Sequence, residues 1–211
     1  MINRQGYPMK KLSFLSSLHG LLLLLLLCAA TPTLAHTGVG ATHGFWAGAY
    51  HPLSGLDHLL AMLTVGLWAA QRGGKALWGI PAAFVLTMIV GGALALVFNR
   101  VPGQAIEFGI TASVLVLGLL VAARVRLPLL PSCLLVGLFA LFHGYAHGME
   151  MPADADGLSY GLGFALVTAL LHGAGLTLGL LFGYIERRGV HYLTPLTGGM
   201  VAVAGGALFL L

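Results

Sequence analysis

The segment His51-Pro52-Leu53-Ser54-Gly55-Leu56-Asp57-His58 sets three metal-capable side chains, His51, Asp57 and His58, at the mouth of an apolar run that continues as LLAMLTVGLWAA. Residues seven apart on a helix return to nearly the same face, so the spacing predicts His51 and His58 side by side, with Asp57 one position off. A second group, Phe142-His143-Gly144-Tyr145-Ala146-His147-Gly148-Met149-Glu150, ends another apolar run. His143 and His147 are four apart and Glu150 is three further on, so all three are expected along one helix face. Imidazole suits Zn, Cu, Fe and Ni, whereas carboxylates suit harder ions. The mixture, with no cysteine ligand evident, points to a borderline first-row cation: Ni²⁺, Co²⁺ or Zn²⁺.

The composition says what must position these groups. Of 211 residues, 58% are hydrophobic and 8% charged, against about a quarter charged in soluble domains. The chain is therefore read as an integral membrane protein. Its formal charge of +4 comes from bases scattered between apolar runs, which form no nucleic-acid patch and serve as topology signals instead.

Residues 1–35 read as a cleaved signal peptide. Arg4, Lys10 and Lys11 form its basic start, Leu21 to Leu27 its apolar core, and Thr33-Leu34-Ala35 its small-x-small cleavage site. The mature chain, 36–211, then starts outside the cytoplasm and retains Cys133 as its one cysteine, which rules out an intrachain disulfide. The segment from His36 through His43 to His51 is too polar and broken to span a bilayer and is expected at the outer surface. After cleavage the imidazole and the free α-amine of His36 can both bind a metal, and His43 is a weaker candidate.

Six apolar spans follow, near 52–70, 76–98, 104–123, 131–150, 158–184 and 191–211, each about long enough to cross 30 Å of hydrocarbon. The expected fold is an all-α six-helix transmembrane bundle. Arg72 and Lys75, Arg124 and Arg126, and Arg187 and Arg188 fall in alternate connections, while the opposite ones hold Arg100, Asp154 and Asp156. With the N-terminus outside, every basic connection lies in the cytoplasm. Span one runs inward and span four outward, so the two motifs are expected at similar depth in the outer half of the membrane.

Pro52 is read as a first helical residue, and Ser54 with Asp57 has the spacing of a capping box. Ionisable groups inside a bilayer cost roughly 2.5–3.5 kcal/mol each and mark ion or proton pathways, which favours a functional reading for six of them in two converging clusters. His172, alone in an apolar helix, reads more readily as a core residue than as a ligand. Glu107, near the outer start of span three, is balanced between ligand and helix-start carboxylate.

Both motifs together resemble the paired signatures of the HupE/UreJ family of nickel and cobalt permeases, which are found with hydrogenase or urease genes, and the likeness covers the whole mature chain. The resemblance implies that His51, Asp57, His58, His143, His147 and Glu150 line a metal pathway with His36 helping at its entrance. It implies Ni²⁺ or Co²⁺ as transported substrate rather than resident cofactor, and no enzymatic activity. The bilayer and the metal ion would be the partners, with a homo-oligomer left open. The expected location is a bacterial cytoplasmic membrane. No glycine loop precedes a Lys-Ser/Thr pair, so no nucleotide step is expected. Metal motifs in oppositely directed spans one and four suggest a 3+3 inverted repeat. The rival readings are an intramembrane metal-dependent hydrolase with a fixed His/Asp/Glu site and a haem protein with paired histidines, which the neighbouring acids fit poorly.

Overall fold

The computed structural model describes residues 44–98 and 100–210. The expected signal peptide, His36 and His43 lie outside the described residues. Seven α-helices follow one another among the described residues: α1 Gly44–Ser54, α2 Leu56–Arg72, α3 Ala76–Val97, α4 Gly103–Ala122, α5 Leu129–Met149, α6 Gly157–Glu186 and α7 Leu193–Leu208.

Helices α3, α4, α5 and α6 are each long and apolar enough to cross a membrane, and the chain is a membrane protein. Helix α3 is apolar all round, with Leu86, Ile89, Val90, Leu94 and Leu96 exposed on its outer side, as expected of a helix facing hydrocarbon. Helices α1 and α2 pass the same test only as a pair, bent by 82° where they meet. The last expected span is a 16-residue helix, about 24 Å long and shorter than a typical hydrocarbon core. Helix α6, with 30 residues, is longer than that core and must tilt or project from it.

The first expected span differs most from its sequence reading. The segment expected to be broken forms α1, and Pro52 lies in its last turn rather than at a helix start. The turn falls at Gly55, whose extended backbone (φ −95°, ψ 122°) ends one helix and begins the next. Ser54 belongs to the helix before the turn, so its hydroxyl donates back to the carbonyl of His51 at 2.7 Å and the expected capping box does not form. A Cβ at residue 55 would stand 2.7 Å from Asp57 Oδ1. Glycine here lets the chain turn against its own carboxylate.

The most extensive pairings are α3 with α5, α2 with α6 and α4 with α7, and α1 lies along α6. Small residues bring backbones together where lipid supplies no hydrophobic drive. Gly48 sits against Tyr160 and Gly163 against Phe45, fixing α1 on α6, while Gly175 meets Leu63 and Gly144 meets Met88. A Cβ at Gly66 would approach the His172 carbonyl oxygen to 2.1 Å, which only a backbone shift relieves. Gly66→Ala is therefore expected to cost about 1–3 kcal/mol, the usual cost of overpacking, read as an earlier thermal transition of the purified protein in detergent.

The three basic connections gather at one end of the bundle. There Trp68 Nε1 donates to the Val125 carbonyl at 3.0 Å, Gln71 Nε2 to Val121 at 3.1 Å, and Arg124 pairs with Glu186 at 2.8 Å. At the other end the Asp156 carboxylate caps α6 by accepting from Ser159 N at 2.8 Å. That hydrogen bond favours the charged form and holds the exposed carboxyl below its ordinary pKa.

Candidate metal site

Four histidines from three helices converge at the capped end of the bundle. His51 comes from the last turn of α1, His58 from the first turn of α2, and His143 and His147 from the last two turns of α5. His51 and His58 do not share a helix face as expected, because the Gly55 turn puts them on different helices. The bend still brings their rings to 6.0 Å, centroid to centroid. His147 stands between them, 4.6 Å from the ring of His51 and 4.8 Å from that of His58. His143 lies one turn further along α5, 4.7 Å from His58. The two motifs therefore meet.

Each carboxylate holds a histidine. Glu150, the residue that ends α5, approaches His51 Nε2 with Oε2 at 2.8 Å. Asp57 Oδ1 accepts from the backbone N–H of His58 at 2.7 Å and lies 2.9 Å from His58 Nδ1. Exposure falls along the series. Glu150 is exposed, His51 partly covered, His58 7% exposed, and His143 and His147 fully buried. The groups form a ladder from the surface into the bundle. Among the described residues no three His, Cys, Asp or Glu groups surround one point as a ready-made metal cage.

Hydrogen bonds fix which ring nitrogens are engaged and which face the ladder. The one proton of Ser113 goes to the Ile110 carbonyl at 2.6 Å, so its Oγ must accept from His143 Nε2–H at 2.9 Å. The lone pair of His143 then sits on Nδ1. In the same way the Asp57 carboxylate accepts from His58 Nδ1–H, and in the neutral ring this leaves the lone pair on Nε2. These nitrogens, His143 Nδ1 and His58 Nε2, are buried without a hydrogen-bond partner, as are both nitrogens of His147. Orphaned buried polar groups cost about 1–3 kcal/mol each. The donor set fits a borderline cation, because imidazoles with outer hydrogen bonds to a hydroxyl or carboxylate are the usual oriented metal ligands.

His172 and Glu107 remain to be placed. His172 is buried on α6 with its ring 5.1 Å from Phe84, and Phe84 in turn lies 5.6 Å from His143. Glu107 is exposed in the second turn of α4. Sequence reasoning missed Ser113, Tyr160, Phe164 and Phe84. Phe164 stacks on His147 at 4.8 Å with rings 12° from parallel, and Tyr160 lies 6.5 Å from His51. A signal was present for two of them, since Tyr160, Phe164, Thr168 and His172 recur every four residues along one face of α6.

The model of the HupE / UreJ protein family matches residues 23–208. Protein HupE of Rhizobium leguminosarum bv. viciae is 43% identical over 181 residues, which cover 85% of this chain and 92% of that protein. No solved structure matches the chain.

Proposed function

The chain belongs to the HupE/UreJ family, and from that premise we propose that it is a secondary transporter importing a divalent transition-metal cation, Ni²⁺ first and Co²⁺ second, for metalloenzyme assembly. The observation that carries this reading is the ladder from partly covered His51 to buried His58, His147 and His143, with unpartnered ring nitrogens on the buried three and a carboxylate on each of His51 and His58. A hydrated cation reaching exposed Glu150 would exchange water for His51, then for the His147, His58 and Asp57 group, then for His143. Each carboxylate offsets part of the ion's charge before the fully buried histidines are reached.

In this reading six spans, with α1–α2 as a bent first one, cross the cytoplasmic membrane. The mature N-terminus faces the periplasm and the arginine-rich end the cytoplasm, where the inside-negative potential draws the ion. For a divalent ion 100 mV is worth about 4.6 kcal/mol, twice the single-charge value, which suffices for uptake without a second ion. The 3+3 inverted repeat is supported by the helix pairings. Span two with four and span one with five exchange under a two-fold that swaps the halves, and span three with six maps onto itself. A superposition of residues 44–122 on residues 129–208 that yields no in-plane two-fold would dismiss it.

The test is uptake of radioactive Ni²⁺ and Co²⁺ into cells lacking their own high-affinity nickel import. Uptake well above empty cells supports the proposal, and the preferred ion names the substrate; uptake equal to empty cells rejects it. A finer expectation concerns Ser113. Removing its hydroxyl in Ser113→Ala frees His143 to take either tautomer, and loss of such an outer partner costs at least about tenfold in metal affinity. Equilibrium dialysis of the purified protein against Ni²⁺ would measure it, with Ser113→Thr retaining most of the affinity.

A further inference from the structure

Next to the histidine ladder lies a buried group that the transport reading does not use. Thr168 on α6 places its hydroxyl 3.4 Å from Met62 Sδ on α2 and 3.8 Å from Met88 Sδ on α3, and all three side chains are fully buried. Met62 is one helical turn beyond His58, away from the Gly55 bend. His172, 2% exposed, is one turn beyond Thr168 on the same face, and neither of its ring nitrogens has a hydrogen-bond partner. Two thioethers and a hydroxyl from three helices thus meet in the core, with the His172 imidazole one helical turn away along α6.

Gap filling is the ordinary work of methionine, yet it leaves two features unexplained. Thr64, Thr87, Thr177 and Thr197 turn their hydroxyls back to the carbonyl four residues earlier, the usual resort of threonine in a helix. Thr168 instead faces two sulfurs. His172 leaves a large polar ring unsatisfied inside the bundle, where a leucine of similar size would cost less.

Resting on the transport reading, we propose that Met62 and Met88, which meet at Thr168, and His172, one helical turn along α6, form a second coordination station for the cation, reached after the histidine ladder. Its donors are all neutral. Without a carboxylate it holds a divalent ion more weakly than the outer groups do, as a site must if the ion is to leave it inward. Thioether and imidazole donors accept soft and borderline cations and serve Mg²⁺ and Ca²⁺ poorly. The outer carboxylates would admit either class, so the inner station is where hard ions are refused. It is a selectivity step for borderline transition metals.

The test compares full-length protein with Met62→Leu/Met88→Leu, a swap that conserves volume and is usually tolerated. The readouts are radioactive Ni²⁺ uptake by cells at equal protein abundance and Ni²⁺ binding to purified protein in detergent. The inference expects uptake to fall at least about tenfold, the low end for loss of a metal-site partner, while binding at the outer ladder persists. Uptake within about twofold of the unaltered protein overturns it and leaves the transport reading standing. No uptake by the unaltered protein overturns both. If the variant fails to accumulate, the unaltered protein decides. Labelled with selenomethionine and loaded with two equivalents of Ni²⁺, it should show a nickel–selenium scatterer in nickel-edge X-ray absorption, and a shell of nitrogen and oxygen alone overturns the inference.

Discussion

Changing Asp57 to asparagine is expected to lower Ni²⁺ uptake more than about 100-fold at unchanged protein abundance. The side chain keeps its size, so the fold should tolerate it. Two things are lost. The charge that faces the incoming cation disappears, and even unit charges 4 Å apart at an effective dielectric of 20 attract by about 4 kcal/mol, where 1.4 kcal/mol already makes a factor of ten. The second loss is orientation. Asp57 Oδ1 fixes the proton on His58 Nδ1 and so aims the lone pair of Nε2 into the ladder, whereas an amide can present either its oxygen or its NH₂ group there. Uptake assays and metal-binding isotherms on the same preparations would measure both losses. Uptake within threefold of the unaltered protein would mean that the ion does not pass this residue.

Changing His147 to phenylalanine is expected to have opposite effects on stability and transport. His147 is fully buried, stacks on Phe164 and has no hydrogen-bond partner for either ring nitrogen. A phenyl ring keeps the stacking and removes two orphaned polar atoms, each worth about 1–3 kcal/mol when left unsatisfied. The thermal transition of the purified protein should therefore rise or hold. Transport should fall by about 100-fold, because this ring lies 4.6 Å from His51 and 4.8 Å from His58, whereas those two rings are 6.0 Å apart, so the closest-spaced step of the ladder is lost. A variant that loses stability and transport together would mark His147 as a structural residue.

Much of this site was legible in the sequence because the two motifs sit in runs where polar groups are costly. His143 and His147 four apart on an apolar helix had to share a face, and Glu150 at its end had to lie near the surface. The opposite directions of spans one and four then placed both motifs at one end of the bundle. The bend at Gly55 was not legible, since seven-residue spacing suits a continuous helix equally well and Pro52 reads as a helix start. What decides it is the close packing of α1 on α6 through Gly48 and Gly163, a contact between segments far apart in the chain. Ser113 was hidden for a related reason: one serine in an apolar helix carries no pattern until its neighbour across the bundle is known. The α6 stripe was visible as spacing, but aromatic and threonine residues at helical intervals ordinarily mean core.

If the ladder is a path rather than a resting place for the metal, the purified protein alone will carry Ni²⁺ across a bilayer. Purified protein would be placed in sealed vesicles containing a fluorescent nickel indicator, with an inside-negative potassium-diffusion potential and Ni²⁺ outside. Net Ni²⁺ entry is expected far beyond one ion per protein, increasing as the potential is made more negative, and absent with Asp57→Asn. Stoichiometric binding with no entry at any potential would contradict it and would favour a fixed-site metalloenzyme instead.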